Sequence, residues 1–318
     1  MTERKPHLNG VASIINPEAA KKKWLRRRRL HGFLKKNLPG RFFDVLADKD
    51  NTIRLVRDLC TDCKTLIAVG GDGTIADVFQ GIREAGKEKE ITLGIIPLGS
   101  GNAFRQSLAI PKNIRKAIGV LHEGSTRDIE LMDIGGKLAG FASIGATARV
   151  TQEKILRRTR GLWGHVRAGT ILFKLPRWEL EAELEEGVDD QGRSFSRKTF
   201  RLKVFDCVVA KSNYFGYGWH IAPRASLEDG YLDITFFEMS GFKYVLLLPL
   251  IFFGIWQRRQ KHYKAKKLIL RGKNLPVQYH GEYLDTMDKV EIRVLPRVFR
   301  VIGPVRREKA LPSDSLSS

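Results

Sequence analysis

One stretch decides the fold: Leu66-Ile67-Ala68-Val69-Gly70-Gly71-Asp72-Gly73-Thr74-Ile75-Ala76-Asp77. The apolar run at 66–69 predicts a fully buried strand of a parallel sheet. Apolar residues recur at helical spacing from Ile75 to Ile82, so the glycines lie in a turn between a strand and a helix. Such a turn directs backbone N–H groups at an anion, and its glycines let a phosphate approach closely.

Asp72 is the unusual residue of this turn, because a carboxylate repels a phosphate. It becomes useful if a metal ion lies between the two, or if it accepts a proton from a substrate. A third interpretation is that Asp72 only caps the following helix, a role that Thr74 could also take. The pattern Gly-Gly-Asp-Gly-Thr is far more specific than a loose Gly-x-Gly-x-x-Gly match and favours phosphate binding.

A second strand, glycine turn and helix follow at residues 91–104. The run Ile91 to Pro97 predicts another buried strand, and it leads into Leu98-Gly99-Ser100-Gly101-Asn102-Ala103-Phe104. Ligands of open α/β sheets bind outside the carboxyl ends of the strands. We therefore expect the two glycine turns to form one site.

The 318 residues, of which 42% are hydrophobic, indicate two domains or one large one with a substantial core. Three cysteines and a polar N-terminus predict a reducing, cytoplasmic location. Cys60 and Cys63 form a lone C-x-x-C at the end of an amphipathic helix predicted over 52–63. Without a second pair or a histidine cluster, this spacing indicates two half-buried cysteines rather than a zinc site.

The net charge is +21, from 56 lysines and arginines against 35 acids, and it predicts a polyanionic partner. The aromatic basic strands of an RNA-recognition motif and the spacing of a zinc finger are absent, so we expect an anionic membrane surface and no nucleic acid. Basic runs lie at 21–29 and 257–267. The apolar run Val245 to Trp256 has twelve residues, whereas a spanning helix needs about 20. This run predicts either insertion into a membrane interface or a core helix with a solvated basic tail.

The turn at 70–74 resembles the phosphate loop of two kinase families that share a fold. One is NAD kinase, and the other comprises the lipid kinases: diacylglycerol kinase, sphingosine kinase and their bacterial relatives. The second turn, with Pro97, Gly99, Ser100 and Asn102 before an apolar helix, resembles the lipid kinase version. The resemblance covers nearly the whole chain through five motifs in the right order.

This resemblance implies an α/β plus all-β protein of the NAD kinase/diacylglycerol kinase type. A Rossmann-like N-terminal α/β domain would bind ATP within residues 1–135, and a C-terminal antiparallel β-sandwich would bind the lipid within 136–303. Residues 304–318 would form a polar tail, and its return to the first domain stays open.

The resemblance also implies the site residues. Asp72 would place the catalytic Mg²⁺, and Glu282 of the segment His280-Gly281-Glu282 would deprotonate the lipid hydroxyl; His280 replaces the aspartate usual in this motif. Asn16-Pro17 matches the first phosphate-side loop, although Glu18-Ala19 follows where relatives have serine and glycine. The residues implied for ATP are Asn16, Pro17, Gly70, Gly71, Asp72, Gly73, Thr74, Asp77, Gly99, Ser100 and Asn102.

A structural magnesium site is implied by the segment Ser226-Leu227-Glu228-Asp229-Gly230-Tyr231-Leu232-Asp233. By resemblance, Asp229 would be the carboxylate ligand, and backbone oxygens of Ser226 and Tyr231 would complete the set, since oxygen ligands suit this hard cation. An ordinary hairpin turn is an equal interpretation of Asp-Gly.

The sequence therefore predicts a Mg-ATP-dependent lipid kinase that is peripherally bound to the inner face of the membrane. A soluble NAD kinase and a catalytically weak lipid-binding protein are the alternatives. The acceptor stays open among diacylglycerol, a sphingoid base, phosphatidylglycerol and monoacylglycerol, which all carry a primary hydroxyl. The oligomeric state stays open as well, a homodimer included.

Overall fold

The computed structural model describes residues 10–19, 28–45, 48–99, 101–156, 170–216 and 218–305. The first part of the chain alternates strands and helices. Its strands are β1 (Val11–Ile15), β2 (Arg41–Asp44), β3 (Thr65–Gly70) and β4 (Thr92–Pro97). Its helices are α1 (Arg28–Asn37), α2 (Lys49–Leu59), α3 (Asp72–Glu84), α4 (Ala103–Ser107) and α5 (Ile114–Glu123).

The four strands are parallel and stand in the order β4-β3-β1-β2. Every residue of β1 and β3 is buried, which is typical of a parallel sheet covered by helices on both faces. The buried apolar residues of these strands pack with α2, α3 and α5 in what we call the first core. The two buried strands and the helix predicted from residues 66–97 are confirmed.

The second part is mainly antiparallel. Its strands are β5 (Ser125–Ile134), β6 (Lys137–Ala139), β7 (Phe141–Gly145), β8 (Trp178–Asp189), β9 (Ser194–Val204), β10 (Asp206–Ala210), β11 (Leu232–Phe237), β12 (Lys261–Tyr279) and β13 (Glu282–Gly303). Among the described residues, three α-helices accompany them: α6 (Ala146–Leu156), α7 (Gly241–Leu246) and α8 (Leu248–Phe252). Their apolar residues form a second core.

Strand β13 connects the two parts. Val290 and Ile292 belong to the second core, whereas Phe299 and Val301 pack in the first core. Near its end β13 pairs in parallel with β4, so hydrogen bonding runs through one continuous sheet of 13 strands. The chain therefore returns to the first core before residue 303. The predicted mixed architecture is confirmed, with both parts sharing this sheet.

Strands β12 and β13 are the longest in the described part of the chain. They have 19 and 22 residues. The pairing of β13 with β5 shifts register between Leu295 and Phe299, where Arg297 has a φ of +42°. An irregularity of this kind bends a strand without ending it. Strand β13 therefore continues through Pro296 and Arg297.

The apolar run 245–256 does not form one helix. It contains the end of α7, the short helix α8 with Pro249 in its first turn, and the start of a 3₁₀ turn at Trp256–Arg259. Gly254 has a φ of +74°, which ends the helical path. Within the ranges given above, no helix has the length and apolar character needed to cross a bilayer.

Two further predictions concern the first part. The helix predicted over 52–63 is α2, and it ends at Leu59, so Cys63 follows it. Cys60 and Cys63 are buried free thiols of the first core, not half-buried ones. Most of the basic run at 21–29, namely residues 21–27, and the tail from 306 onward lie outside the described residues.

The contact between α2 and α3 requires a glycine. A Cβ atom at Gly81 would lie 2.6 Å from Cβ of Val56 and 2.8 Å from the carbonyl oxygen of Ile53. We predict that Gly81→Ala lowers the free energy of unfolding by about 1–3 kcal/mol, because overpacking outweighs the gain in helix propensity.

The matched control is Gly119→Ala in α5, where a Cβ atom would meet nothing within 4 Å. This change should leave the protein equally stable or stabilise it by up to about 1 kcal/mol. Urea unfolding monitored by circular dichroism measures both. Equal effects of the two substitutions would contradict the predicted steric conflict at Gly81.

Candidate active site

A cavity of about 790 Å³ lies where the carboxyl ends of β1, β3 and β4 meet the second part of the chain. One end is polar and is formed by the two glycine turns. The other end is apolar and largely aromatic. The polar end is lined by Asn16, Gly71, Asp72, Gly73, Thr74, Gly99 and Gly101. The apolar end includes Phe141, Val150, Leu172, Phe173, Phe215, Trp219, Val245, Leu248 and Phe252.

The two glycine turns touch each other. A Cβ atom at Gly99 would lie 2.6 Å from Cα of Gly71, and one at Gly70 would lie 2.5 Å from Oγ1 of Thr74. A larger residue at position 99 would therefore push the two turns apart. Gly71 is the N-cap of α3, and a glycine has no side chain with which to cap that helix. The first N–H groups of α3 thus lie at the polar end of the cavity, as expected for a phosphate site.

Asp72, in the first glycine turn, forms a hydrogen bond to the helix that follows the second turn. Its Oδ1 accepts a hydrogen bond of 3.2 Å from the backbone N–H of Phe104, in the first turn of α4. Burial raises the pKa of this carboxyl above its ordinary value, and backbone N–H groups at 102–104 partly offset the rise. Asp72 does act as a cap, but of α4 rather than of its own helix, and it also lines the cavity.

Asn16 closes the first loop through its side-chain amide. Its Nδ2 donates to Thr74 Oγ1 at 3.0 Å, and its Oδ1 accepts the N–H groups of Glu18 and Ala19 at 3.0 and 3.2 Å. The loop is thereby fixed against α3. Asn16 and Thr74 hold each other at the polar end, and both line the cavity.

Glu282 lies in a cluster with a lysine that the sequence analysis missed. Lys49 Nζ is 2.7 Å from Glu282 Oε2 and donates to the Tyr279 hydroxyl at 3.0 Å, while that hydroxyl donates to the same Oε2 at 3.1 Å. Burial alone would lower the pKa of Lys49, but its hydrogen bonds to Glu282 and Tyr279 raise it above the ordinary value. The lysine therefore remains charged and neutralises Glu282.

Asp77 lies on α3 in the field of this cluster. Burial is the main cause that raises its pKa to about 7; Lys49 acts in the opposite sense, while Glu282 and Asp50 add to the rise. Asp77 therefore exchanges a proton near neutral pH, unlike an ordinary carboxyl group. It does not line the cavity.

His280 and Gly281 form the two-residue turn between β12 and β13. Their φ angles of +47° and +81° are those of a type I′ hairpin turn. The N–H of Gly140 donates to His280 Nε2 at 3.0 Å, and the ring packs on Phe104 with 5.3 Å between centroids. Burial lowers the pKa of His280 to about 4. Because Nε2 accepts a hydrogen bond, the neutral ring carries its proton on Nδ1.

Sequence reasoning also missed a pair of hydroxyl groups within the apolar wall of the cavity. Thr147 and Tyr244 line the cavity, and both hydroxyl groups bond to the buried carboxyl of Asp206, at 2.5 and 3.3 Å. Burial raises the pKa of Asp206 to about 7. No motif marks these residues in the sequence, because they are brought together from β10, α6 and α7.

The structure brings most of the expected ATP-site residues to the polar end of the cavity. Gly70, Pro17 and Asn102 do not line the cavity, although each is next in the chain to a residue that does, and Ser100 lies outside the described residues. Glu282 follows the lining residues His280 and Gly281 directly in the chain. Lys49 begins α2, shortly after the carboxyl end of β2, and ligands of open α/β sheets bind at such strand ends, so this position is the sequence signal for it.

The residues expected to hold a structural magnesium ion do not fit one. Lys211 Nζ lies 2.9 Å from Asp229 Oδ1 and 2.7 Å from the carbonyl oxygen of Tyr231. Ser226 instead accepts the N–H of Glu228 through its hydroxyl, at 3.2 Å. A lysine ammonium group therefore occupies the point at which two of the three expected ligands converge. Within the described residues, no group of three or more His, Cys, Asp or Glu could hold a metal.

Comparison with known proteins identifies relatives of both parts. The family profile of the diacylglycerol kinase catalytic domain matches residues 11–134, and that of the YegS C-terminal NAD kinase beta sandwich-like domain matches residues 173–303. The chain is 28% identical to a Cronobacter sakazakii protein named "probable lipid kinase YegS-like", over 67% of this chain and 68% of that one. It is 30% identical to a diacylglycerol kinase of Bacillus subtilis, over 55% of each.

A solved structure shares the fold. The crystal structure of a diacylglycerol kinase from Bacillus anthracis matches with a TM-score of 0.69 and 19% identity. The match covers 94% of this chain and 98% of the other. At that identity, the likeness concerns the arrangement of strands and helices.

The raised pKa of Asp77 predicts a pH-dependent stability. Between about pH 4 and 7 the unfolded carboxyl loses its proton while the folded one keeps it, so the folded state loses stability as the pH rises through this window. Asp77→Asn should therefore raise the free energy of unfolding at pH 8 by on the order of 1–2 kcal/mol, allowing for solvent screening, and have no effect near pH 4.

Chemical unfolding at the two pH values measures this difference. Asp190→Asn, at an exposed turn between β8 and β9, is the matched control and should change neither value. An Asp77→Asn protein that is no more stable than the parent at pH 8 would refute the assigned environment.

Proposed function

Because the chain belongs to the lipid kinases that combine a diacylglycerol kinase catalytic domain with a YegS-type C-terminal domain, we propose that it transfers the γ-phosphate of ATP to a primary hydroxyl of a membrane lipid. The observation that carries this proposal is the single cavity with two chemically different ends. The glycine turns suit phosphates, and the aromatic wall suits a hydrocarbon chain. A hydroxyl group at the junction would face the phosphate.

The phosphate end is built from backbone. The N-terminus of α3 offers N–H groups and the positive end of a helix dipole, and the glycines at 71, 73 and 99 leave room for phosphate oxygens. Asn16 and Thr74 fix the loop beside them. Asp72 is a carboxylate that lines the cavity beside this turn, and in this proposal it would hold a magnesium ion together with the phosphates. When bound there, the ion would neutralise charge on the phosphates.

Glu282 is the proposed general base. It would take the proton of the lipid hydroxyl as that oxygen attacks the γ-phosphorus, and ADP would leave on the opposite side. The β12–β13 turn brings Glu282 beside the lining residues His280 and Gly281. Lys49 supplies a permanent positive charge next to it. Catalysis of this kind is mostly positioning and charge neutralisation.

The lipid end favours a hydrocarbon acceptor over NAD. The stacked rings of Phe141 and Phe215, with 4.2 Å between centroids, form part of the wall, and Trp219 stacks on Phe252 at 6.0 Å. A dinucleotide acceptor would need hydrogen-bond partners along this wall. The hydroxyls of Thr147 and Tyr244 are polar points at which a lipid headgroup could be recognised.

We further propose that α7, α8 and the turn after them dock onto an anionic membrane. One side of these helices lines the cavity through Val245, Leu248 and Phe252. The other side exposes five large apolar side chains, which we call the apolar platform. It consists of Phe242, Leu246, Leu250, Phe253 and Ile255. The basic residues beside it are Lys243, Arg258, Arg259 and Lys261. Exposed apolar residues flanked by cations suit the surface of an anionic bilayer.

The transfer reaction is tested with γ-labelled Mg-ATP and a panel of hydroxyl lipids in mixed micelles, with NAD as a soluble acceptor. We expect label in a lipid. Asp72→Asn and Glu282→Gln should each lower kcat/KM by about 10²–10⁴-fold, because they remove charge or the proton acceptor from the reacting groups.

Glu291→Gln is the control, an exposed glutamate on the same strand β13. It should leave the rate unchanged. Label that enters NAD alone would refute the lipid acceptor. Full turnover by Glu282→Gln would remove Glu282 from the reaction and leave Asp72 as the proton acceptor.

Membrane docking is tested by sedimentation with vesicles of phosphatidylglycerol and phosphatidylcholine. Replacing both Phe242 and Phe253 by serine should reduce the partition coefficient by about 10–100-fold, since each exposed phenylalanine would otherwise bury apolar area in the interface. Val305→Ser, an exposed apolar residue outside the platform, is the control. Unchanged binding of the double variant would show that the platform does not contact the bilayer.

A further inference from the structure

A fully buried lysine, Lys211, directly follows β10. The side chain of Lys211 is 0% exposed, and Glu130 beside it is 2% exposed. Lys211 Nζ donates to three oxygens: Glu130 Oε2 at 2.8 Å, Asp229 Oδ1 at 2.9 Å and the Tyr231 carbonyl at 2.7 Å. An ammonium group has three donors, and here each has an acceptor.

The acceptors come from distant parts of the chain. Glu130 is on β5, and its Oε2 also accepts the N–H of Gly230 at 2.7 Å. Asp229 Oδ2 accepts from Lys264, on β12, at 2.7 Å. The hydrogen bonds of Lys211 therefore connect the end of β10 to β5 and to the 226–231 loop. Burial would raise the pKa of Asp229, but Lys264 and Lys211 lower it below its ordinary value.

The three contacts of Lys211 have the lengths of charge-assisted hydrogen bonds. Magnesium and calcium bind oxygen at about 2.0–2.6 Å, whereas charge-assisted N–H···O bonds measure about 2.7–2.9 Å. All three contacts of Lys211 lie in the second range. Two carboxylates that converge at a buried point require a cation, since an unpaired buried charge is strongly destabilising.

We propose that Lys211 takes the place of a structural divalent cation in this chain, so that a covalently tethered ammonium group holds the 226–231 loop against β5 and β12. The loop is then ordered without a metal ion. A chelator cannot remove this cation, and any divalent cation that the protein requires acts elsewhere. The inference concerns the folded chain and does not depend on the reaction that the chain catalyses.

Thermal unfolding of the full chain without nucleotide tests the proposal, in EDTA and in millimolar Mg²⁺ or Ca²⁺. We expect the same melting temperature for the wild-type protein in all three solutions. Lys211→Ala should melt roughly 5–15 °C lower in EDTA, because it leaves Glu130 and Asp229 unpaired. It should regain at least half of the loss in the divalent cation, which can enter the vacated space.

Two variants make the result specific. Lys211→Met fills nearly the same volume without charge, so it should be as unstable as Lys211→Ala and should not respond to divalent cations. Lys264→Ala removes the partly exposed partner of Asp229 and keeps Lys211, so it should show no cation dependence.

Either of two outcomes would overturn the proposal. One is a wild-type melting temperature that rises by several degrees with a divalent cation and loses this rise in Asp229→Asn. The other is a Lys211→Ala protein that divalent cations do not stabilise. If Lys211→Ala does not accumulate as folded protein, the wild-type and Asp229→Asn comparison decides by itself.

Discussion

The contact between the two glycine turns is the constraint on which the site depends. Gly71 and Gly99 approach so closely that a Cβ atom at position 99 would fall 2.6 Å from a backbone carbon. Asp72 adds a hydrogen bond across the same contact, to the N–H of Phe104. Because the turns end adjacent parallel strands, this contact places the N-terminus of α3 at the end of the cavity. The polar end of the cavity is therefore built from elements of the first core.

The region proposed to bind the acceptor depends on a different element, the long β12–β13 hairpin. Its turn at His280 and Gly281 lies at the cavity, while the end of β13 pairs with β4 in the first sheet. The hairpin thus fixes the second part of the chain against the first. The N–H of Gly140 requires an acceptor at this turn, and a neutral histidine provides it without adding a second negative charge beside Glu282.

Buried and half-buried lysines neutralise acids at two points of the structure. Lys49 pairs with Glu282 beside the cavity, and Lys211 pairs with Glu130 and Asp229 beneath the 226–231 loop. The ammonium group of Lys49 lies next to groups proposed to react, and its side chain is partly exposed. The ammonium group of Lys211 is fully enclosed, and its donors and acceptors are matched in number. A basic composition therefore serves internal ion pairs as well as the surface.

Local sequence patterns were enough to predict the parallel strands, the two glycine turns and the resemblance to the lipid kinases, because short-range patterns fix a buried strand, a turn and a helix start. They marked Asp72 and Glu282 through local motifs. Only the tertiary structure placed Lys49 beside Glu282, made Asp72 the cap of α4, and set Lys211 among the ligands expected for a metal. These contacts join residues from 18 to 233 positions apart, and no local pattern encodes such a separation.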